Sequence, residues 1–137
     1  MKFNKTVGNV NIKINTDKLD QNVKEAQKRL NMQVAADCDM YIPFAQGALR
    51  GSLRYPEGIY GGEIEWDTPY AHYQYEGILY LTVDGRSFAQ KGERKYPTDI
   101  PLVQHTPGTS AHWFECAKAE NMTQWIELVD RTIGRGL

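Results

Sequence analysis

The fold is decided by residues 17–41, which read DKLDQNVKEAQKRLNMQVAADCDMY. Apolar side chains recur there at steps of three and four residues, at Leu19, Val23, Ala26, Leu30, Val34 and Cys38. Lys24, Lys28 and Arg29 fall on the other side, so the stretch predicts an amphipathic helix from Asp17 to Tyr41. Asn15-Thr16-Asp17 supplies an N-cap and an acidic first turn. Pro43 ends the helix, because proline has no N–H to donate.

Strands are predicted on both sides of this helix. Val10–Ile14 alternates apolar and polar residues, which is typical of a half-buried strand. Residues 52–55 indicate a short strand, and Gly61-Gly62 resembles a hairpin turn between residues 59–60 and 63–66. Residues 78–83 form a further apolar strand that ends at a turn.

Two more helices complete the prediction. Thr68 can cap a short helix that begins at Pro69 and ends at Gly77. Thr109 or Ser110 can cap a second long helix, whose broad apolar face comprises Trp113, Phe114, Ala117, Trp125, Leu128 and Val129. The chain is therefore expected to be a single α+β domain over residues 1–137, with two long helices, one short helix and four or five mostly antiparallel strands.

Composition limits the function. The chain has 137 residues, with 16 Lys and Arg against 17 Asp and Glu, so the formal net charge is −1. This balance argues against a dedicated duplex-DNA binder, which needs a basic excess. Two cysteines, Cys38 and Cys116, do not make a disulfide framework and are expected to be free thiols in a reducing compartment. No stretch is apolar over the length of a membrane span, and we expect no membrane partner.

No pattern of catalytic or metal-binding residues emerges. Glu63, Glu65 and Asp67 project from one face of a strand, but without a paired lysine they are better explained as a solvated face. Cys116 and His112 are four residues apart on one helical face, and no third group orients them. The glycines match no phosphate-binding fingerprint. We therefore expect neither enzymatic activity nor a metal or cofactor.

Residues 85–108 are expected to form a long extended arm. The stretch shows no sustained periodicity, and Arg86, Lys91, Arg94 and Lys95 outnumber its two acids, Glu93 and Asp99. Structureless connections of this length are usually functional arms or disordered segments. The arm could reach a neighbouring subunit, or it could be a surface loop without a partner. It could also make the chain a small nucleic-acid-binding module.

Aromatic residues are concentrated in the middle of the chain. Between residues 55 and 80 there are seven tyrosine and tryptophan residues, and residues 59–81 contain no Lys or Arg. Stacking on single-stranded bases normally needs interleaved cations, so protein contact or core packing is favoured. The predicted interface residues are Arg50, Tyr70, Tyr73, Tyr75, Tyr80, Arg86, Phe88, Lys91, Arg94, Lys95 and Tyr96.

Three segments resemble a known family. Residues 42–53, IPFAQGALRGSL, are similar to the "Pro…Gly-x-Leu-Arg-x-Ser" segment of phage tail-completion and minor capsid proteins. Residues 66–77, WDTPYAHYQYEG, resemble that family's "Pro-Tyr-Ala-x-Tyr-x-Tyr-x-Gly" segment. Residues 107–118, PGTSAHWFECAK, resemble its closing "Trp-Phe-x-x-Ala-Lys" helix start. The segments follow the family's order behind a long first helix.

This resemblance implies a structural protein of the virion neck in a long-tailed phage. Such proteins join the head connector to the tail, commonly as a ring of six around the DNA channel, after assembly in the host bacterial cytoplasm. The implied partners are further copies of the chain and other neck, connector and tail proteins, with incidental contact to packaged DNA. The implied fold is a mostly antiparallel sheet of four or five strands packed against a long N-terminal helix, with a C-terminal helix and a long extended loop.

Overall fold

The computed structural model describes residues 1–43, 47–68, 70–102 and 109–137. In chain order the elements are β1 (Lys2–Val7), β2 (Val10–Asn15), α1 (Asp17–Asp39), α2 (Ala48–Gly51), β3 (Leu53–Arg54), β4 (Glu65–Trp66), α3 (Ala71–Glu76), β5 (Ile78–Leu81), β6 (Tyr96–Pro101) and α4 (Trp113–Ile133). The expected helix start at Pro69 and the end of the arm, residues 103–108, lie outside the described residues.

The long helix α1 confirms the strongest prediction from the sequence, although it ends at Asp39, two residues before the predicted end at Tyr41. It begins at Asp17, as expected, with Thr16 at the N-cap position. The Thr16 side chain does not cap the helix; it donates a hydrogen bond to the Met1 carbonyl, at 3.0 Å. The first turn is instead held by Asn15, whose Oδ1 accepts from the Asp17 N–H at 2.9 Å. Asparagine favours such local bonds over continuing a strand.

The core lies mainly between α1 and α4. Its buried members are Val34, Cys38, Ile42, Leu49, Ala71, Trp113, Ala117 and Trp125. Two polar contacts from α1 hold the helix pair together. The Trp125 Nε1–H donates to Asp37 at 2.7 Å, and the buried Asn22 donates to the carbonyls of Ile133 and Arg135 at 2.9 and 2.7 Å. Asn22 thus satisfies carbonyls at the end of α4 that lack partners within the helix.

The predicted sheet of four or five strands is wrong. The described residues form three separate two-stranded antiparallel sheets, β1–β2, β3–β4 and β5–β6. Strands β3 and β4 contain only two residues each, which is too short to recruit neighbours. In β6, Pro97 and Pro101 have no N–H to donate, which confines that strand to an edge position. The apolar stripe of α1 is therefore covered by α4 and not by a sheet.

The predicted hairpin turn at Gly61-Gly62 is also wrong. Strand β4 pairs with β3, with Leu53 opposite Trp66, and not with residues 59–60. The connection between these strands is fixed by Asn31 of α1, whose Nδ2 donates to the carbonyls of Ile59 and Gly61 at 2.8 and 2.7 Å. The buried Asn31 side chain therefore fixes the conformation of this connection, and no local turn pattern in the sequence could indicate that contact.

The short helix α3 ends where it was predicted to end. Gly77 adopts the left-handed conformation, with φ of 72°, and closes the helix. Glycine is required there for a second reason, since a Cβ on Gly77 would lie 2.5 Å from the Cβ of Ala111. Gly77 also accepts a hydrogen bond from the Leu102 N–H at 2.9 Å, so α3, the end of β6 and the start of α4 meet at this residue.

Helix α4 begins later than predicted. Its N-cap is His112, the one non-glycine residue with positive φ among the described residues, and not Thr109 or Ser110. The His112 ring packs edge-on against Tyr75, at 5.2 Å between ring centroids. The His112 N–H donates to the Tyr75 carbonyl at 2.9 Å, which explains how this backbone conformation is held.

Part of the predicted arm is regular structure. Residues 96–101 form β6, which returns beside β5, and the Thr98 hydroxyl donates to the Leu79 carbonyl at 2.5 Å. The period of this strand is hidden in the sequence by its two prolines. No described helix is both long and apolar enough to cross a membrane.

Candidate interaction site

Three predicted interface residues, Tyr73, Tyr80 and Lys95, lie together at the base of the arm. Tyr73 of α3 packs on Tyr80 of β5, at 4.8 Å between ring centroids. The Lys95 ammonium lies 4.3 Å from the centre of the Tyr73 ring, and Tyr80 and His72 are within hydrogen-bond distance at 3.3 Å. Tyr96 follows Lys95 at the start of β6 and is half exposed. This cluster joins the arm to α3, so part of its surface is used within the chain.

Tyr75 faces the core instead. Its ring packs edge-on against Trp113 at 4.7 Å, and its hydroxyl donates a short hydrogen bond to Glu115. This hydrogen bond is the largest influence on Glu115 and lowers the pKa of its carboxyl. Burial, followed by the same hydrogen bond, raises the pKa of Tyr75. Tyr75 is therefore a structural residue that fixes the start of α4.

Replacing Tyr75 by Phe should reduce stability near neutral pH and leave it almost unchanged in acid. A carboxyl with a lowered pKa contributes stability that is present above its unfolded pKa, about 4.3, and lost as pH falls through the folded value. We expect Tyr75→Phe to cost about 1 kcal/mol at pH 7, because Glu115 is exposed and screened by solvent. Urea unfolding at pH 7 and pH 3 measures the difference. Tyr73→Phe is the control, since its ring contacts do not involve a carboxylate, and an equal pH dependence in both variants would contradict this assignment.

The tip of the arm is held by its own charges. The Arg86 guanidinium forms ion pairs with Asp84, at 3.0 Å, and with Glu93. Both hydrogen bonds raise the pKa of Arg86, and the same contacts lower the pKa of each carboxyl. Phe88 is 64% exposed beneath Arg86, at 5.4 Å from the guanidinium. The charge of Arg86 is therefore taken up by two carboxylates of the same chain, and the tip presents an exposed aromatic ring.

The other predicted interface residues are spread over the surface. Arg94 lies 5.9 Å from the ring centre of Tyr96, and Lys91 is exposed at the turn between them and Arg86. Arg50 is on α2, where its Nε donates to the Ile42 carbonyl at 2.9 Å. Tyr70 is 39% exposed and precedes α3. The structure thus brings Tyr73, Tyr80 and Lys95 together, whereas Arg50 contacts the segment after α1.

The acidic and cysteine side chains that were candidates for catalysis or metal binding make contacts within the fold instead. Arg54 forms ion pairs with Glu65 and Asp67, at 3.0 and 3.4 Å. Burial raises the pKa of the Cys38 thiol to about 12, which keeps it protonated and unreactive. The Cys116 sulfur contacts the Ser110 hydroxyl at 3.2 Å. Within the described ranges, no group of three His, Cys, Asp or Glu side chains is placed to hold a metal ion.

One exposed apolar surface was not predicted as an interface. The β1–β2 register places Phe3 opposite Ile14, Lys5 opposite Ile12 and Val7 opposite Val10, all on one face of the hairpin. The opposite face carries only polar residues. We call the first face the hairpin face; its apolar side chains are 42–60% exposed. The half-buried strand expected at Val10–Ile14 is therefore a strand, but an exposed one.

A second unpredicted surface lies between α1 and α4. A groove of about 450 Å³ runs along the two helices, and we call it the α1–α4 groove. Its lining includes Leu30, Val34, Ile64, Phe114, Lys118, Met122, Trp125, Ile126, Val129 and Asp130. Phe114, Met122 and Ile126 remain 38%, 42% and 52% exposed, so this apolar lining is open to solvent. The sequence did contain an indication of this groove, because the apolar face of α4 is broader than contact with one helix requires.

Comparison with known proteins identifies the family. A family model described as "Minor capsid protein" matches residues 5–133, which is nearly the whole chain. The chain belongs to the minor capsid protein family. This confirms the resemblance found in the three sequence segments and indicates a structural role in a phage virion. No curated protein and no solved structure matches this minor capsid protein.

Proposed function

We propose that this minor capsid protein is a neck component of a long-tailed phage, acting as a head–tail adaptor or tail-completion protein. It assembles as a ring around the DNA channel, with six copies as the expected number. It is not an enzyme and works by contacts with neighbouring copies and with connector and tail proteins.

The observation that supports this proposal best is that the chain exposes two different apolar surfaces, the hairpin face and the α1–α4 groove. The hairpin face and the α1–α4 groove lie on different elements, and none of the residues that the structure describes covers either of them. Exposed apolar surfaces of this kind mark interaction sites in proteins. Ring subunits meet through two different surfaces, one on each side. The family membership and the three resembling segments point to the same assembly.

The arm gives little support to the alternative of a nucleic-acid-binding module. Arg86 is paired with two carboxylates, and Lys95 and Arg94 lie against aromatic rings of the same chain. Phosphate binding by Arg86 would have to displace its two carboxylate partners. A titration with single-stranded and duplex DNA at increasing salt should show no more than weak binding, whereas a steep salt dependence would favour the alternative.

Quantitative blotting of gradient-purified virions tests the neck proposal. With an antibody against this chain, we expect about six copies per particle, as in one ring of the proposed size. Gold labelling of the same particles should mark the head–tail junction. Tailless heads from the same lysate serve as the matched comparison for particles without a completed tail. Labelling spread over the capsid, or absence of the chain from finished virions, would contradict the proposal.

A further inference from the structure

We propose that the hairpin face of one copy docks in the α1–α4 groove of a second copy, and that this contact joins successive subunits of the ring. The inference rests on the proposed ring and names the surfaces that form it. A ring requires two different patches on each subunit, because every copy binds one neighbour on each side. The hairpin face and the groove are two such patches.

The hairpin needs a partner for its apolar face. A lone two-stranded hairpin is marginally stable in water, and all residues of β1 and β2 are exposed. Apart from Lys5, the polar residues of the two strands lie on the opposite face, so the two faces are clearly divided. Covering the hairpin face would therefore remove apolar surface from water without burying the polar side chains of the other face.

The chain's own groove is an unsuitable partner, because the base of the hairpin is fixed to the start of α1. The Met1 ammonium forms ion pairs with Asp20 and Asp17, at 3.0 and 3.6 Å, and Lys2 pairs with Asp17 at 3.6 Å. Folding the hairpin back along α1 would break these bonds. In the structure the groove residues Met122 and Ile126 remain open. The occupant therefore comes from another copy.

The dimensions of the two surfaces match. Six residues of antiparallel strand extend about 20 Å. On α4 the groove lining runs from Phe114 to Asp130, which is about 24 Å at the rise of an α-helix. The hairpin face is thus long enough to cover most of the α4 side of the groove.

Charge favours the same pairing. Residues 1–16 contain three lysines and no acidic residue, whereas α4 contains four acidic and two basic side chains. Lys5 lies on the hairpin face itself, opposite Ile12, and Asp130 lines one end of the groove. Lys118 lines the other end, so Lys5 is expected to lie toward Asp130. Complementary charges of this kind select the partner and its orientation.

Two surface variants test the contact. Ile12→Glu alters the hairpin face and leaves the groove intact, and Ile126→Glu does the reverse. Light scattering after size exclusion should show the unaltered chain as a concentration-dependent oligomer and each variant alone as a monomer. An equimolar mixture of the two variants should form a heterodimer and nothing larger, since it retains one functional hairpin face and one functional groove.

Matched controls introduce a glutamate on the hairpin outside the hairpin face and on the helix pair outside the groove. Asn4→Glu lies on the polar face of the hairpin, opposite Lys13. Met32→Glu lies on α1, is 52% exposed in the parent chain and does not line the groove. Both controls should assemble like the unaltered chain. Far-ultraviolet circular dichroism should show that all four variants retain the native helix content.

Disulfide capture gives a readout that does not depend on loss of assembly. Ile12→Cys and Ile126→Cys chains, mixed and oxidised, should give mainly the mixed covalent dimer. The unaltered chain, whose own thiols are Cys38 and Cys116, measures the background. Predominance of the Ile12→Cys homodimer would overturn the head-to-tail contact.

Other outcomes also overturn the proposal. An unaltered chain that stays monomeric up to millimolar concentration, a variant that still assembles alone, or a folded mixture that does not pair would each do so. If the virion blot still places the chain at the head–tail junction, the neck function stands and the docking contact alone has failed. If the contact forms but the chain is absent from the junction, the neck function has failed.

Discussion

Replacing Trp113 by Ala should lower the free energy of unfolding by about 3–5 kcal/mol, the cost of removing a large aromatic side chain from a core. Trp113 is 1% exposed and packs against Tyr75 and Trp66, at 4.7 and 5.8 Å between ring centroids. It joins α4 to both α3 and β4, and these neighbours cannot close the cavity without moving. Denaturant unfolding followed by circular dichroism measures the loss.

Trp113→Phe is the matched comparison and should cost much less. The Trp113 Nε1–H is buried without a hydrogen-bond partner among the described residues. An unsatisfied buried donor costs about 1–3 kcal/mol, so removing the indole N–H offsets part of the lost contact area. We expect a net change below about 1.5 kcal/mol. Equal losses for the two variants would show that the indole N–H is satisfied or that the cavity collapses.

Replacing Asn31 by Asp should destabilise the chain by about 3 kcal/mol at neutral pH, because a buried charge would face two carbonyl oxygens. Asn31 is 4% exposed and donates from one amide nitrogen to Ile59 and Gly61. A carboxylate has the same shape and no hydrogen to donate. The loop that supplies Gly62 and Ile64 to the α1–α4 groove would lose its anchor.

The sign of the pH dependence distinguishes this effect from a simple packing defect. The introduced carboxyl would have a raised pKa in the folded state, so its protonated form is favoured and the destabilisation should shrink as pH falls. Unfolding measurements at pH 7 and pH 4 provide the test. Asn121→Asp is the control: Asn121 is half exposed and donates to one carbonyl, that of Ala117, at 2.9 Å. A loss for Asn31→Asp no greater than for this control would contradict the role assigned to Asn31.

Local patterns were sufficient to predict the elements that depend on a few neighbouring residues. The three- and four-residue spacing of apolar residues located α1, and Gly77 located the end of α3. Val10–Ile14 alternates because one face of β2 is apolar. The sequence could not show that this face is left open, since alternation looks the same whether the apolar side meets a core or a solvent-exposed surface.

The pairing of distant elements could not be read from local patterns. The connection between β3 and β4 is held by Asn31, which lies more than twenty residues before β3 in the sequence. The prolines of β6 concealed a strand that forms only because β5 is beside it. The predicted interface residues are aromatic or basic, whereas the two open apolar surfaces consist largely of aliphatic residues. Which aliphatic residues are buried in the core depends on how α1 packs against α4, and this packing is not visible in local sequence patterns.

The Asn22 contacts with Ile133 and Arg135 join positions more than one hundred residues apart. On the ribosome, α1 is synthesised long before α4, so it cannot pack against α4 until that helix has been made. The entropy of closing so long a loop is lost before the packing of the two helices stabilises the chain. The α1–α4 groove therefore comes into existence only after residues 113–133 have been translated. A chain that stops earlier has no groove to offer, so translation order itself keeps truncated chains from accepting a neighbour.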